Sequence, residues 1–151
     1  MREASSERMA ARRMASARSL TRKLAVQAIY RLQLNEAPWQ DLITEFSDAE
    51  GMDRADPEYF RSLIEGIWRQ RENLDATLRP WLDRDPVQLD PTEHAVLFIA
   101  LYELRAHPEV PFRVVISEAI NLAKKFGGTD GHKFVNAVLD RAARELRPHE
   151  R

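Results

Sequence analysis

The sequence predicts an all-α protein, a compact bundle of about seven helices in two small helical subdomains. Apolar residues recur at spacings of three and four along most of the 151 positions, the period of an amphipathic helix. No stretch alternates with the period of two that a half-buried strand requires. Asp-Pro pairs and Gly-Gly or Pro breaks fall between the periodic segments, where helix starts and stops belong.

The first helix is two-sided. Leu24, Ala25, Ala28, Ile29 and Leu32 form a broad apolar stripe, while Ser19, Lys23, Gln27 and Tyr30 share another face. Pro38 suits a first helical position, and Trp39, Leu42, Ile43 and Phe46 then follow at i, i+3, i+4, i+7 before an acidic linker from Ser47 to Asp56. Asp56-Pro57 opens the third helix, with Asp as N-cap, Pro at N1 and Phe60, Leu63, Ile64, Ile67 and Trp68 on one face. Gly66 inside it costs about 1 kcal/mol relative to Ala and marks a close helix crossing. A short segment from Asn73 to Arg79 stops near Pro80. Asp90-Pro91-Thr92-Glu93 joins an N-cap, a Pro at N1 and a Glu at N3 in a near capping box. The helix behind it, apolar nearly all round from Ala95 to Leu104, belongs in the centre. Pro108 ends it. Val115, Ile116, Ala119, Ile120, Ala123 and Phe126 form the next stripe, closed by Gly127-Gly128. Thr129 or Asp130 then caps a last helix with Phe134, Val135, Val138, Leu139 and Ala142 inward.

Charge is distributed unevenly. Between Glu7 and Glu36 there is no carboxylate but seven cations: Arg8, Arg12, Arg13, Arg18, Arg22, Lys23 and Arg31. Residues 1–23 are net +5 and the remainder net −6. Such polarity predicts a polyanion-facing end on an acidic body. Arginines in a flexible segment both release counterions and stack on unpaired bases, which favours single-stranded RNA. Residues 1–16 are expected to be a disordered basic tail, and 17–151 the folded domain. The absence of cysteine rules out a disulfide framework or thiolate metal site, and no apolar run is long enough to span a membrane, so a cytoplasmic location is expected.

Signatures of catalysis are missing. His94, His107, His132 and His149 are scattered without metal-ligand spacing. Gly127 to Lys133 lacks the spacing of a phosphate loop, and Ser117, Asp130 and His132 lack a nucleophile elbow. Neither an enzyme nor a cofactor is expected.

Several segments resemble the NusB family of bacterial transcription antitermination factors. They are Leu24 to Tyr30 (LAVQAIY), Tyr59-Phe60 with Gly66, Ala95 to Leu104, Ile116 to Gly127 (ISEAINLAKKFG) and His132 to Asp140 (HKFVNAVLD), in the family's order and within a similarity running from about Arg18 to Pro148. The resemblance implies an RNA-binding adaptor that pairs with NusE, a small-subunit ribosomal protein, and grips boxA-type nascent RNA. With other Nus factors on RNA polymerase, such an adaptor suppresses premature termination, notably in ribosomal RNA operons. It also implies site residues. Arg18 and Arg22 at the start of the first helix, Tyr30 along it, Trp81 beside Arg79-Pro80, and Asp130 with Lys133 in the last turn would border RNA, and Lys23 joins them as a candidate from the cation-rich run. Glu93 would face the ribosomal partner. Ser19 and Leu20 stand where relatives often have consecutive arginines, which shifts the expected contact to Arg12 and Arg13, and Phe98 replaces a frequent arginine.

Each of these residues also has a plainer role. Tyr30 and Trp81 suit half-buried packing, Lys124 and Lys125 a solvated helix face, and Glu93 a cap. The rival to an RNA adaptor is a helical protein–protein module, or a homodimer, without specific RNA recognition. A methyltransferase, to which NusB-like domains are sometimes fused, is discounted for want of a cofactor-binding α/β domain.

Overall fold

The computed structural model describes residues 2–150, and among them every regular element is helical. Met1 and Arg151, the outermost residues of the expected tail and domain, lie outside the described residues. Six α-helices follow in order: α1 Arg2–Leu34, α2 Trp39–Phe46, α3 Pro57–Leu78, α4 Pro91–Ala106, α5 Phe112–Phe126 and α6 Gly131–Leu146. Short 3-10 turns lie at Met52–Arg54, Arg79–Trp81 and Pro86–Gln88.

The count is six rather than seven because the segment from Asn73 continues α3. Leu74 and Leu78 extend the stripe of Leu63 and Ile67 at helical spacing, and all four are fully buried. A second difference is at the chain start: α1 is helical from Arg2, although residues 2–16 are exposed apart from half-buried Ala10. Ala, Arg, Met and Glu without Gly or Pro favour a helix there by propensity, with little packing behind them.

Caps agree with the sequence in part. Asp56 accepts from the Tyr59 N–H (3.1 Å), and Asp90 from the N–H groups of Thr92 and Glu93 (2.9 and 3.2 Å). Asp130 holds the N-cap position of α6 but makes no side-chain cap bond. Gly127 closes α5 in extended rather than left-handed backbone, with its N–H on the Ala123 carbonyl at 2.8 Å.

α4 occupies the centre and packs against α1, α3, α5 and α6. Ala95 to Leu101 are all buried, and one continuous apolar cluster runs from Leu24 to Ala142. Gly66 lets α3 approach α4 closely, since a Cβ there would overlap the Tyr102 ring and hydroxyl. Among the described residues no helix is long and apolar enough to cross a membrane.

Candidate nucleic-acid interface

α1 organises the site because its two faces have opposite fates. Leu24, Ala25, Ala28, Ile29 and Leu32 are buried, while Lys23, Gln27, Tyr30 and Leu34, at i, i+4, i+7 and i+11, line the outer side. Tyr30 is 38% exposed, enough ring for an external contact. Arg12 and Arg13 are exposed on the N-terminal extension of the same rod.

Arg22 faces inward, which corrects its assignment as a phosphate contact. The residue is 3% exposed. Its Nε and Nη2 donate to the two Glu103 carboxylate oxygens at 2.8 and 2.9 Å, and Nη1 donates to Glu118 at 3.0 Å. The Tyr59 hydroxyl donates to Glu103, and the Ser19 hydroxyl to Glu118. A buried guanidinium demands such satisfaction. Burial alone would lower its pKa, but hydrogen bonding and attraction from Glu103, with Glu118 behind, leave it raised. Tyr59 is pushed well above the usual phenol range, first by burial and then by the Glu103 charge.

Arg18 is committed as well. Its guanidinium lies 3.7 Å from the Tyr59 ring centroid, and Nε is 3.5 Å from Asp56 at the start of α3. Trp81 is only 8% exposed, packed in the turn after α3 beside Phe134 and Val138 of α6. It is a core residue and offers no stacking face, a second correction. The plainer reading of an aromatic next to a Pro won because α6 closes over it.

The last turn and the partner position do come together. Asp130 and Lys133 are exposed and paired with each other at 3.3 Å. The Glu93 side chain leaves the near capping box unclosed and lies instead over Gly131, the first residue of α6. Burial, and next the Asp90 charge, hold its carboxyl above the usual range, with Arg84 opposing. Nearby, the Arg84 guanidinium sits 5.0 Å from the Phe134 ring.

Sequence reasoning missed a groove at the C-terminal end of α1. Leu32, Gln33 and Leu34 line it with Trp68, Val87 and Phe98 in a space of about 390 Å³. Val87 is 84% exposed, an isolated apolar side chain beside Leu34. Both polar ends of the Gln33 amide are buried without a partner. His94 and Asp75 close another wall, with Nε2 and the carboxylate 2.5 Å apart, and the His94 ring lies tilted by 36° against Phe98 with centroids 4.3 Å apart. The clue in the sequence was Leu34, one helical turn beyond Tyr30 on the outward face. Phe98 forms part of this wall. Among the described residues no group of three or more His, Cys, Asp or Glu side chains converges as a metal site would require.

Comparison with known proteins places this geometry in context. The family model described as NusB family matches residues 19–144. The chain is 44% identical over 137 residues to the transcription antitermination protein NusB of Paraburkholderia phytofirmans, covering 91% of this chain and 95% of that one. It is 47% identical over 135 residues to the NusB of Burkholderia cenocepacia, covering 89% and 93%. Among solved structures, T. maritima NusB superposes with a TM-score of 0.77 at 28% identity, over 84% of this chain and 90% of that one. A crystal structure of the antitermination factors NusB and NusE in complex with dsRNA gives 0.76 at 23% identity, over 84% and 96%, and supports the fold alone.

Proposed function

Because the chain belongs to the NusB family of transcription antitermination proteins, we propose that it is an RNA-binding adaptor that pairs with the ribosomal protein NusE. The RNA is of boxA type, and the assembly joins other Nus factors on RNA polymerase to suppress premature termination, notably in ribosomal RNA operons. Catalysis is no part of this reading. One observation carries it: α1 presents exposed Arg12 and Arg13 on its N-terminal extension, half-buried Lys23, and exposed Gln27, Tyr30 and Leu34 on its outward side, which ends at the groove of mixed polar and apolar lining shared by Leu34 and Val87. A strand held by phosphate contacts and a base stacked on Tyr30 would thus lie beside a second polypeptide seated in the groove.

Arg12, Arg13 and Lys23 supply the cations, in place of Arg22 and with Arg18 only at its exposed edge. Asp130 and Lys133 border the same surface from α6. Glu93 faces the partner, whose basic side chains would compensate a carboxylate that the free protein holds partly desolvated. Of the two small subdomains, α1 to α3 carry the strip, and α4 to α6 carry Glu93 and the last turn. The basic extension, residues 2–16, tightens onto RNA when it binds, and the assembly works in the cytoplasm.

The test is a titration of boxA-type RNA, single-stranded and duplex, with and without NusE. Joining two half-sites should make affinity higher when the ribosomal protein is present. Identical affinity in both arms would remove the adaptor model. The exposed groove also favours a protein–protein reading, in which a second copy covers Leu34 and Val87. Sedimentation of the free chain distinguishes this, since the adaptor reading expects a monomer that meets NusE only on mixing.

A further inference from the structure

α5 begins at Phe112 without a cap of its own. Pro111 holds the N-cap position and has no side-chain acceptor, and no acidic residue stands in the first turn. The acceptor comes from the segment that follows α6, where the Glu150 carboxylate receives the Phe112 N–H at 2.6 Å. Three residues earlier, Arg147 commits its whole guanidinium to the other side of the same junction. Nε donates to the Leu104 carbonyl at 2.9 Å, Nη1 to the Val110 carbonyl at 3.0 Å and to the Glu150 carboxylate, and Nη2 to the carbonyls of His107 and Glu103 at 3.0 and 3.4 Å. We propose that Arg147 to Glu150 form a two-stage strap over the α4–α5 turn, with Arg147 a fixed anchor and Glu150 a latch that opens alone and frees the first turn of α5. The strap goes beyond the adaptor reading and does not depend on it.

The two stages differ in how each is held. A guanidinium carries five N–H donors, and at Arg147 five acceptors receive them. Glu103 and Leu104 lie in the last turn of α4, where carbonyls outnumber the helix's own amides. His107 and Val110 bound the turn itself, which the Val110 N–H closes onto the His107 carbonyl at 3.0 Å. The Arg147 side chain is 8% exposed and that of Glu150 36%. Glu150 borders a hollow of about 190 Å³ shared with Arg113 and Arg144, so its carboxylate can swing out without displacing a packed side chain. The Phe112 N–H first, and then Arg147, hold its carboxyl below the usual range, so the latch is charged at neutral pH. Two bonds at a partly exposed carboxylate open more readily than a set of five made around a buried guanidinium. Glu118 lies six residues beyond Phe112, about 9 Å along α5, so opening of the first turn leaves its bonds to Ser19 and Arg22 in place.

Amide hydrogen exchange, followed residue by residue by NMR on the full chain at neutral pH, tests the strap. Glu150→Ala should accelerate exchange of the Phe112 amide about tenfold or more, the scale of a lost hydrogen bond to a charged group. The Val110 amide, inside the anchored turn, should keep its rate in that variant. Arg147→Lys retains the charge but offers three donors to five acceptors, and should accelerate Phe112 and Val110 together while buried Leu101 of α4 changes less. Unchanged Phe112 exchange in Glu150→Ala would overturn the latch, and unchanged Val110 exchange in Arg147→Lys would overturn the anchor. Equal acceleration of Phe112, Val110 and Leu101 in Glu150→Ala would overturn the two-stage strap as a whole, since the segment would then open only with the entire domain. Should Arg147→Lys fail to fold, the Glu150→Ala comparison still decides the latch by itself.

Discussion

At Arg22, position along the helix decides between a structural and a nucleic-acid role. The residue precedes Ala25, Ile29 and Leu32 at i+3, i+7 and i+10, so spacing alone puts it on the buried stripe. That signal was present in the sequence, and the cationic context hid it. Replacing Arg22 by Ala leaves Glu103, itself 1% exposed, without its counter-charge. Denaturant unfolding should show a loss of about 3–5 kcal/mol, the usual cost of breaking a buried pair from one side. The RNA salt slope per folded molecule should be unchanged, and a flattened slope at full stability would return Arg22 to the interface. Glu93 presents the opposite case. Its raised folded pKa means that the protonated form favours the fold, so the ionised form is a burden at neutral pH which fades as pH falls toward the folded pKa and below. Glu93→Gln should therefore raise the melting midpoint at pH 7, with the gap to wild type closing as the solution is acidified. A lower midpoint instead would show that the positive end of α6 beneath the carboxylate dominates.

Among elements, caps and stripes were readable because they are local. Asp56, Asp90 and the buried faces of α3, α4 and α6 lie where periodicity puts them. Helix junctions were less readable, since whether Asn73 starts a new helix or extends α3 depends on what packs against Leu74 and Leu78. Gly66 was legible as a crossing point, though its partner was not: Tyr102 is 36 residues away and only the fold brings it there. Gly66→Ala gains about 1 kcal/mol of helix propensity but drives a methyl into the Tyr102 ring, an overpacking that costs about 1–3 kcal/mol. Chemical denaturation should find a net loss, partly recovered when Tyr102→Leu makes room. Gly131→Ala, by contrast, meets only the mobile end of Glu93 and should leave stability nearly unaltered.

For the molecule as a whole, the charge polarity was legible and its spatial use only partly so. An acidic body with a cationic end follows from counting, yet two of the leading arginines turn out to serve the fold, Arg22 entirely and Arg18 through Tyr59 and Asp56. The groove was invisible because it is assembled from the end of α1, the end of α3, the turn at Pro86 and the start of α4, segments that no single window of sequence contains. The exposed extension predicts a separation of roles. Deleting residues 2–16 should leave the thermal midpoint of the domain as it was, because little packs on them, and should lower the salt slope of RNA binding by about 1.4 if Arg12 and Arg13 each hold a phosphate. Calorimetry and the anisotropy of a labelled boxA-type RNA across a salt series check the two halves of that statement.

α1 passes from the tail to the groove as a single helix of 33 residues, without a Gly or Pro inside it. At 1.5 Å per residue it is a ruler: labels placed at Ser5 and Leu34 would stand about 44 Å apart in the free chain. Pulsed dipolar spectroscopy on such a doubly labelled protein would therefore read any bend or fraying of the rod directly, as a shortened or broadened distance, whichever guest is added.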